Sequence, residues 1–129
     1  EWEYVEDTGD EQGRLKPVPA YVMVYEISGP MFFGAADKIP HMERDNGCRV
    51  LILRMRSVPA MDITALNGLR RLYDECVRKN INVVFSHVNE QPMSVFRKSG
   101  MYDLVGAENF QPNIDVALER AISIGGMPV

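Results

Sequence analysis

The run VLILRM, from Val50 to Met55, is the feature that most restricts how this chain can fold. Its apolar residues follow one another instead of alternating with polar ones, so both faces of the segment call for burial. A strand that is apolar on both faces is typical of the centre of a parallel sheet covered by helices. The run therefore predicts an α/β domain with a mostly parallel sheet.

Segments of strand and of helix character alternate on both sides of this run. Alternation at this spacing favours βαβ units and a parallel sheet. The helix at 34–47 is either kinked at Pro40 or begins there or at Ile39, since proline breaks an interior turn. The other predicted elements are strands at 20–27 and 81–88, a brief strand or extended segment at 102–106, and helices at 62–80, 92–99 and from Pro112 to Gly125.

Two of the predicted helices show a clear apolar stripe at helical spacing. Such a stripe is expected to pack on the sheet. In the helix at 62–80 it consists of Leu66, Leu69, Tyr73, Cys76 and Val77, and in the last helix of Ile114, Leu118, Ala121 and Ile122.

Length and composition indicate one soluble globular domain: 129 residues, of which 46% are hydrophobic and 25% charged. The net charge of −4 lies entirely in residues 1–16, and the remainder is neutral. A neutral body gives no electrostatic reason to expect nucleic-acid binding. We divide the chain into an acidic linker or edge segment (1–17), a folded body (18–124) and a tail (125–129). Because it begins at Glu1, we expect a piece of a longer protein.

The residue types that carry catalysis do not form a pattern here. Cys48 and Cys76 lack CxxC spacing and indicate buried thiols in a reducing compartment, not a metal site or a nucleophile. His41 and His87 have no partner at i+3 or i+4, so we expect no metal. The dinucleotide, Walker A and GxSxG fingerprints are absent from the sequence. We therefore expect neither an enzyme nor a cofactor.

The segment VPAMDITAL (58–66) places Asp62 and Thr64 where a buried strand ends and a helix begins. Asp62 is the natural N-cap, since its carboxylate can accept from the free N–H of Thr64 or Ala65. Thr64 then falls near the second helical position. Its hydroxyl is either solvated or bonded to the backbone, or it is a phosphoacceptor, because a helix N-terminus stabilises phosphate. The charge of Asp62 would oppose such a phosphate.

Two further features lie near the same predicted junction. Met31, Phe32 and Phe33 form either core or, if partly exposed beside Gly34, a docking patch. Arg54 and Arg56 flank the end of the strand and are interpreted as surface charge.

Three stretches together resemble a known family: VYEISGPMFFGAA (24–36), LILRMRSVPAMDITAL (51–66) and VVFSHVNEQPMSVFRKSGM (83–101). They are similar to the STAS domain, in the branch found at the cytoplasmic C-terminus of SulP-type anion transporters. The GPMFF and VPAMD-x-T segments are the most specific. The resemblance runs from about Val18 to Ile124.

The resemblance implies a mostly parallel sheet of four or five strands with surrounding helices, and a protein that is not an enzyme. In the free-standing members of the family, anti-sigma-factor antagonists, a serine two residues after the aspartate is phosphorylated by a partner kinase. Thr64 occupies that position here. The segment DITA departs from the D-S-S-G pattern of those members, which argues against the kinase switch.

From the resemblance we expect the regulatory and protein-interaction domain of a sulfate-type transporter, on the cytoplasmic side of the membrane. Its expected partners are the transmembrane domain of the same protein, a second copy, or a cytosolic protein. The expected contact surface consists of Met31, Phe32, Phe33, Asp62 and Thr64. One alternative is a free-standing phosphoswitch with Thr64 as acceptor. Another is weak nucleotide binding, for which the sequence offers no phosphate-binding loop.

Overall fold

The computed structural model describes residues 2–5, 8–9, 15–16, 18–30 and 47–125. The described strands are β1 (Trp2–Val5), β2 (Thr8–Gly9), β3 (Leu15–Lys16), β4 (Val22–Ser28), β5 (Val50–Ser57), β6 (Asn82–Ser86) and β7 (Phe110–Gln111). The described helices are α1 (Ile63–Arg78), α2 (Glu90–Lys98), α3 (Met101–Val105) and α4 (Ile114–Gly125), with a 3-10 turn at Ala107–Asn109. The helix predicted at 34–47 lies outside the described residues.

Five of these strands form one sheet in the order β1-β4-β5-β6-β7. The four from β4 to β7 are parallel, and β1 pairs antiparallel with β4 at one edge. β2 and β3 form a separate antiparallel pair. β5 is the middle strand, and it is buried from Val50 to Met55. The prediction of a mostly parallel sheet of four or five strands around VLILRM is confirmed.

The sheet is covered on two faces because successive side chains of a strand point to opposite sides. Leu51, Leu53 and Met55 of β5 belong to a core cluster with α1, α2 and α3. Val50 and Ile52 belong to a second cluster with α4. The apolar run is thus divided between two separate cores.

The segment at 102–106, predicted as a strand or extended, is helical instead. Gly100 adopts φ 85°, a left-handed conformation that ends α2 and allows α3 to begin directly after it. Met101 and Val105 are both buried, whereas Asp103 between them is exposed; a strand would place all three on one face, and a helix does not. The prediction missed this because five residues are too short to show a helical period.

Each predicted apolar stripe includes one exposed residue, and the first also omits a buried one. Val77 and Ile122 are 52% and 49% exposed, whereas Leu72, which the prediction left out, is 3% exposed. Each residue turns an α-helix by about 100°, so Val77 lies about 100° around the helix axis from its buried neighbour Cys76. α2 also begins at Glu90, two residues before the predicted Pro92.

Part of the acidic leader belongs to the sheet. β1 aligns with β4 so that Trp2 lies opposite Ile27 and Val5 opposite Val24. An edge segment was one of the two interpretations of this leader, and the backbone of Trp2–Val5 follows it. The division of the chain at residues 17 and 124 stays a prediction.

Candidate functional site

The loop between β5 and α1, residues 58–61, lies at the edge of the sheet where the parallel strands end. Val58 and Met61 are 0% and 1% exposed. The N–H of Val58 donates to the carbonyl of Met55 at 3.0 Å. Pro59 between them is exposed. The loop is therefore anchored in the core at both ends and presents its middle to solvent.

Two side-chain amides at the start of α2 hold this loop; we call Asn89 and Gln91 the amide clamp. The amide nitrogen of Asn89 donates to the carbonyls of Arg56 (3.1 Å) and Val58 (2.8 Å). The side-chain oxygen of Gln91 accepts from the N–H of Met61 (2.8 Å), and its nitrogen donates to the carbonyl of Met61 (3.2 Å). Each such bond stabilises by about 1 kcal/mol net. The loop is thus fixed to a segment that lies far along the chain.

Sequence reasoning missed the amide clamp. Asn89 comes shortly before Pro92 and has the appearance of an ordinary helix start. Its hydrogen-bond partner Val58 is 31 positions away, and no local spacing predicts such a contact. The only sequence signal for this contact was the position of Asn89. As an uncharged amide shortly after β6, it lies at the same edge of the sheet as the loop between β5 and α1.

Asp62 begins α1, as predicted. Its backbone is extended (φ −100°, ψ 175°), and its Oδ1 accepts from the N–H of Ala65 at 2.9 Å. The carbonyl of Asp62 accepts from the N–H of Leu66 at 3.1 Å, which is the first bond of the helix. An N-cap of this kind contributes about 1 kcal/mol. The carboxylate therefore has a structural role at this junction.

Thr64 is the second residue of α1 and is half-buried. Ile63, directly before it, is 53% exposed, and sequence reasoning did not include it in the surface. The structure thus brings Asp62, Ile63 and Thr64 together on one turn of helix that begins where the clamped loop ends.

Met31, Phe32 and Phe33, the other part of the predicted surface, lie outside the described residues. The last described residues before them belong to the turn after β4. The N–H of Gly29 in that turn donates to the carbonyl of Ser57 at 2.9 Å, so the turn is joined to the end of β5.

The prediction that Arg54 is a surface charge is wrong. Arg54 is 5% exposed. It lies opposite Glu26 in the β4–β5 register, with 3.7 Å between its Nε and the Glu26 carboxylate. Arg56, whose side chain is 46% exposed, approaches the same carboxylate at 3.1 Å. Glu26 therefore balances two arginines, and its pair with Arg54 contributes to the stability of this sheet edge.

The two cysteines are not activated for chemistry. Cys76 is fully buried, and this burial raises the pKa of its thiol to about 12. Burial also raises the pKa of Cys48, whose Sγ lies 3.4 Å from the carbonyl of Val50. Both thiols are therefore protonated near neutral pH, and a protonated thiol is a poor nucleophile. This agrees with the prediction of a buried thiol for Cys76, whereas Cys48 is only half-buried.

The described ranges contain neither a cluster of metal-ligating side chains nor a membrane-spanning helix. They hold no group of three or more histidine, cysteine, aspartate or glutamate side chains that could bind a metal ion. Within the same ranges, no helix has the length and hydrophobicity needed to cross a bilayer.

Comparison with known proteins relates the fold to one family. Residues 15–117 match the family described as the STAS domain. The chain is 29% identical over 94 residues to a putative sulfate transporter, YvdB, of Bacillus subtilis (strain 168). That alignment covers 69% of this chain and 17% of the relative, so the chain spans only about a sixth of the length of that protein.

Two solved structures are similar along nearly their whole length. A sulfate transporter family protein from Wolinella succinogenes is 30% identical, with a TM-score of 0.78 over 87% of this chain and 93% of that one. The STAS domain of a SulP transporter from Vibrio cholerae is 31% identical, with a TM-score of 0.68 over 88% and 89%. Their likeness confirms the fold and the resemblance that the sequence predicts.

Proposed function

Since this chain belongs to the STAS domain family, we propose that it is the regulatory and protein-interaction domain of a SulP-type anion transporter, on the cytoplasmic side of the membrane. The similarity to a putative sulfate transporter and to a SulP transporter STAS domain supports this proposal. The domain does not carry the anion. It contacts the transmembrane part of the same protein, a second copy, or a cytosolic partner.

The observation that carries this proposal is the fixed and partly exposed start of α1. The amide clamp and the Asp62 cap hold the backbone on both sides of the turn. On that fixed backbone Ile63 is exposed and Thr64 is half-buried. A surface that is ordered before binding loses less conformational entropy when a partner docks. Such a surface suits recognition of another protein.

The same turn is poorly suited to catalysis, and we infer that the domain is not an enzyme. The Asp62 carboxylate is engaged by the N–H of Ala65. Both thiols are kept protonated by burial. The side chains that remain at this turn, Ile63 and Thr64, offer apolar surface and one hydroxyl.

The proposal is tested by a pair of matched substitutions on α1. Ile63 and Val77 are exposed to nearly the same extent, 53% and 52%, at opposite ends of this helix. Each is replaced by glutamine in the full-length protein, which is reconstituted in vesicles, and uptake of labelled sulfate is measured. We expect Ile63→Gln to change uptake and Val77→Gln to leave it unchanged, because only Ile63 lies at the clamped turn. Equal behaviour of the two variants would contradict the proposed surface.

The connection to a membrane domain has a separate test. The gene upstream of the codon for Glu1 should encode a series of apolar runs of about 20 residues, each long enough to span a bilayer. A start codon directly before Glu1 would contradict the tethered form and favour a free-standing protein.

A second candidate, the phosphoswitch, is favoured by the position of Thr64. It is half-buried in the first turn of α1, where backbone N–H groups and the helix dipole stabilise phosphate. Incubation with the cognate kinase and ATP should then raise the intact mass by one phosphate, and Thr64→Val should prevent it. An unchanged mass would remove this candidate and leave the interaction surface untouched.

A further inference from the structure

A pocket of about 560 Å³ lies beside the amide clamp, between α2, β7 and the turn after β6, and the proposed function does not use it. Its volume falls within the range of roughly 300–1,000 Å³ that is typical of small-molecule sites. Its apolar lining consists of Val88, Met93, Tyr102, Phe110 and Pro112. The pocket therefore offers a concave, partly apolar surface at the carboxyl end of the parallel strands, and Asn89 of the amide clamp lies in its wall.

The aromatic floor of this pocket is rigid. The ring of Phe110 stacks on Phe85, with 5.1 Å between centroids and 14° between planes. It also meets Tyr102 at 4.8 Å and the edge of Phe96 at 5.2 Å. Phe85 and Phe96 are 0% exposed, so they fix the ring from the core side. This floor is therefore ordered before a ligand arrives.

One cation is held at the rim of the same pocket. The guanidinium carbon of Arg97 lies 4.8 Å from the centroid of the Tyr102 ring, a cation–π contact that restrains an otherwise flexible side chain. Arg97 is exposed, and in the described part of the chain no carboxylate forms an ion pair with it. The pocket thus combines an apolar body site with a positioned positive charge.

Glu90 also lines the pocket, and its distance from Arg97 determines how strongly its negative charge opposes the binding of an anion there. It precedes Arg97 by seven positions on α2, which corresponds to about 10 Å along the helix axis. At that distance in water, its repulsion weakens the binding of an anion at Arg97 only about twofold. A hydrogen bond to a charged group strengthens binding about tenfold or more. Arg97 therefore dominates the recognition of an anionic group.

The turn beside the pocket is conformationally strained. His87, which lines the pocket, adopts φ 54°, a left-handed conformation that is unfavourable for a residue with a side chain. Its N–H donates to the carbonyl of Gln111 at 2.9 Å, which ties the turn to β7. Strain of this kind concentrates at ligand sites, where it shapes the binding surface.

We propose that this pocket binds an organic anion with a flat aromatic body. The body stacks on Phe110 between Val88 and Met93, and its carboxylate pairs with Arg97. An inorganic anion such as sulfate has no body to fill the apolar floor and is not retained. This ligand site is separate from the α1 surface, so its test does not depend on the proposed function.

The proposal is tested by calorimetric titration of the 129-residue chain with three probes. Naphthoate has both the flat body and the charge, naphthol has the body alone, and inorganic sulfate has the charge alone. We expect naphthoate to bind, naphthol to bind about tenfold more weakly, in line with the loss of one charge-assisted bond, and sulfate not to bind. No binding of naphthoate, or equal binding of naphthoate and either control, would overturn the proposal.

Two arginine variants locate the site. Arg97→Gln should weaken naphthoate binding about tenfold and leave naphthol unchanged. Arg78→Gln, at an exposed position on α1 outside the pocket, removes the same charge and should change neither. Circular dichroism checks that both variants are folded. An equal loss in the two variants would indicate general charge attraction and overturn the assignment of Arg97.

Discussion

The starts of α1 and α2 occupy equivalent places in the fold, yet they are stabilised in different ways. Asp62 caps its own helix by accepting from the N–H of Ala65. Asn89 occupies the same N-cap position in α2 but makes no side-chain bond to that helix. Its amide donates instead to the carbonyls of Arg56 and Val58. A polar residue before a helix can thus stabilise a neighbouring segment rather than the helix it precedes.

The two junctions also differ in backbone strain. In the described residues of the β5–α1 junction no residue has a positive φ, whereas His87 in the β6–α2 junction has φ 54°. The first junction is therefore relaxed and capped locally. The second is strained, and its capping residue stabilises the first.

The largest expected effect comes from removing the cross-connection. Asn89→Leu deletes two hydrogen bonds and leaves the carbonyls of Arg56 and Val58 without this donor. We expect the free energy of unfolding to fall by about 2–3 kcal/mol, measured by urea denaturation.

Asn89→Asp separates the two roles of this position. A carboxylate is a good N-cap but cannot donate to carbonyls. If the amide stabilises the loop, Asn89→Asp should lose nearly as much stability as Asn89→Leu. A stability equal to the wild type would show that Asn89 serves α2 after all.

Gln91 should have the next largest effect. Gln91→Met keeps the size of the side chain and loses both bonds to the backbone of Met61. Because Gln91 is exposed, water can replace part of what is lost. We expect a loss of about 1.5 kcal/mol, with faster hydrogen exchange at the N–H of Met61. Unchanged exchange at that group would contradict the clamp.

The local cap should contribute less than the clamp. Asp62→Ala removes the bond to the N–H of Ala65 and should cost about 1 kcal/mol. Asp62→Asn keeps a capping oxygen and serves as the control, with little loss expected. If Asp62→Ala destabilised the protein more than Asn89→Leu in the same urea denaturation, the local cap would contribute more than the clamp, which would contradict this prediction.

The smallest expected effect has the opposite sign. His87→Gly relieves the left-handed conformation, which costs a residue with a side chain about 1–2 kcal/mol, but adds the entropy cost of glycine, about 0.5–1 kcal/mol. We expect a net gain in stability of about 0.5 kcal/mol, measured by thermal unfolding. A clear loss would show that the His87 ring stabilises the turn by more than the strain costs.

Elements with a strong period were predictable from the sequence. Val50–Met55 is apolar on both faces and is the central strand. Leu66 and Leu69 lie in the core at helical spacing. α3 was not predictable, because its five residues show too little of a period. Arg54 was also missed, since its ion pair with Glu26 depends on the register of two strands.

At the candidate site, too, contacts between residues close in sequence were predictable and contacts between distant segments were not. Asp62 was identifiable as an N-cap because its partner Ala65 is three positions away. Ile63 was not identifiable as exposed, because an isoleucine at the start of a helix can face either the core or solvent. The hydrogen-bond partners of Asn89 could not be predicted from the local sequence, and neither could the ion-pair partner of Arg54. Both are determined by how the strands and helices pack.

By itself, the sequence determined the elements whose stabilising partners lie within a turn or two of helix, and the burial of β5 on both faces. Such features depend on residue types and on short, fixed spacings along the chain. The tertiary structure alone decided the amide clamp, the Glu26–Arg54 pair and the pocket at Phe110. Each of these joins residues from different strands and helices, and their distances exist only once the sheet has aligned those segments.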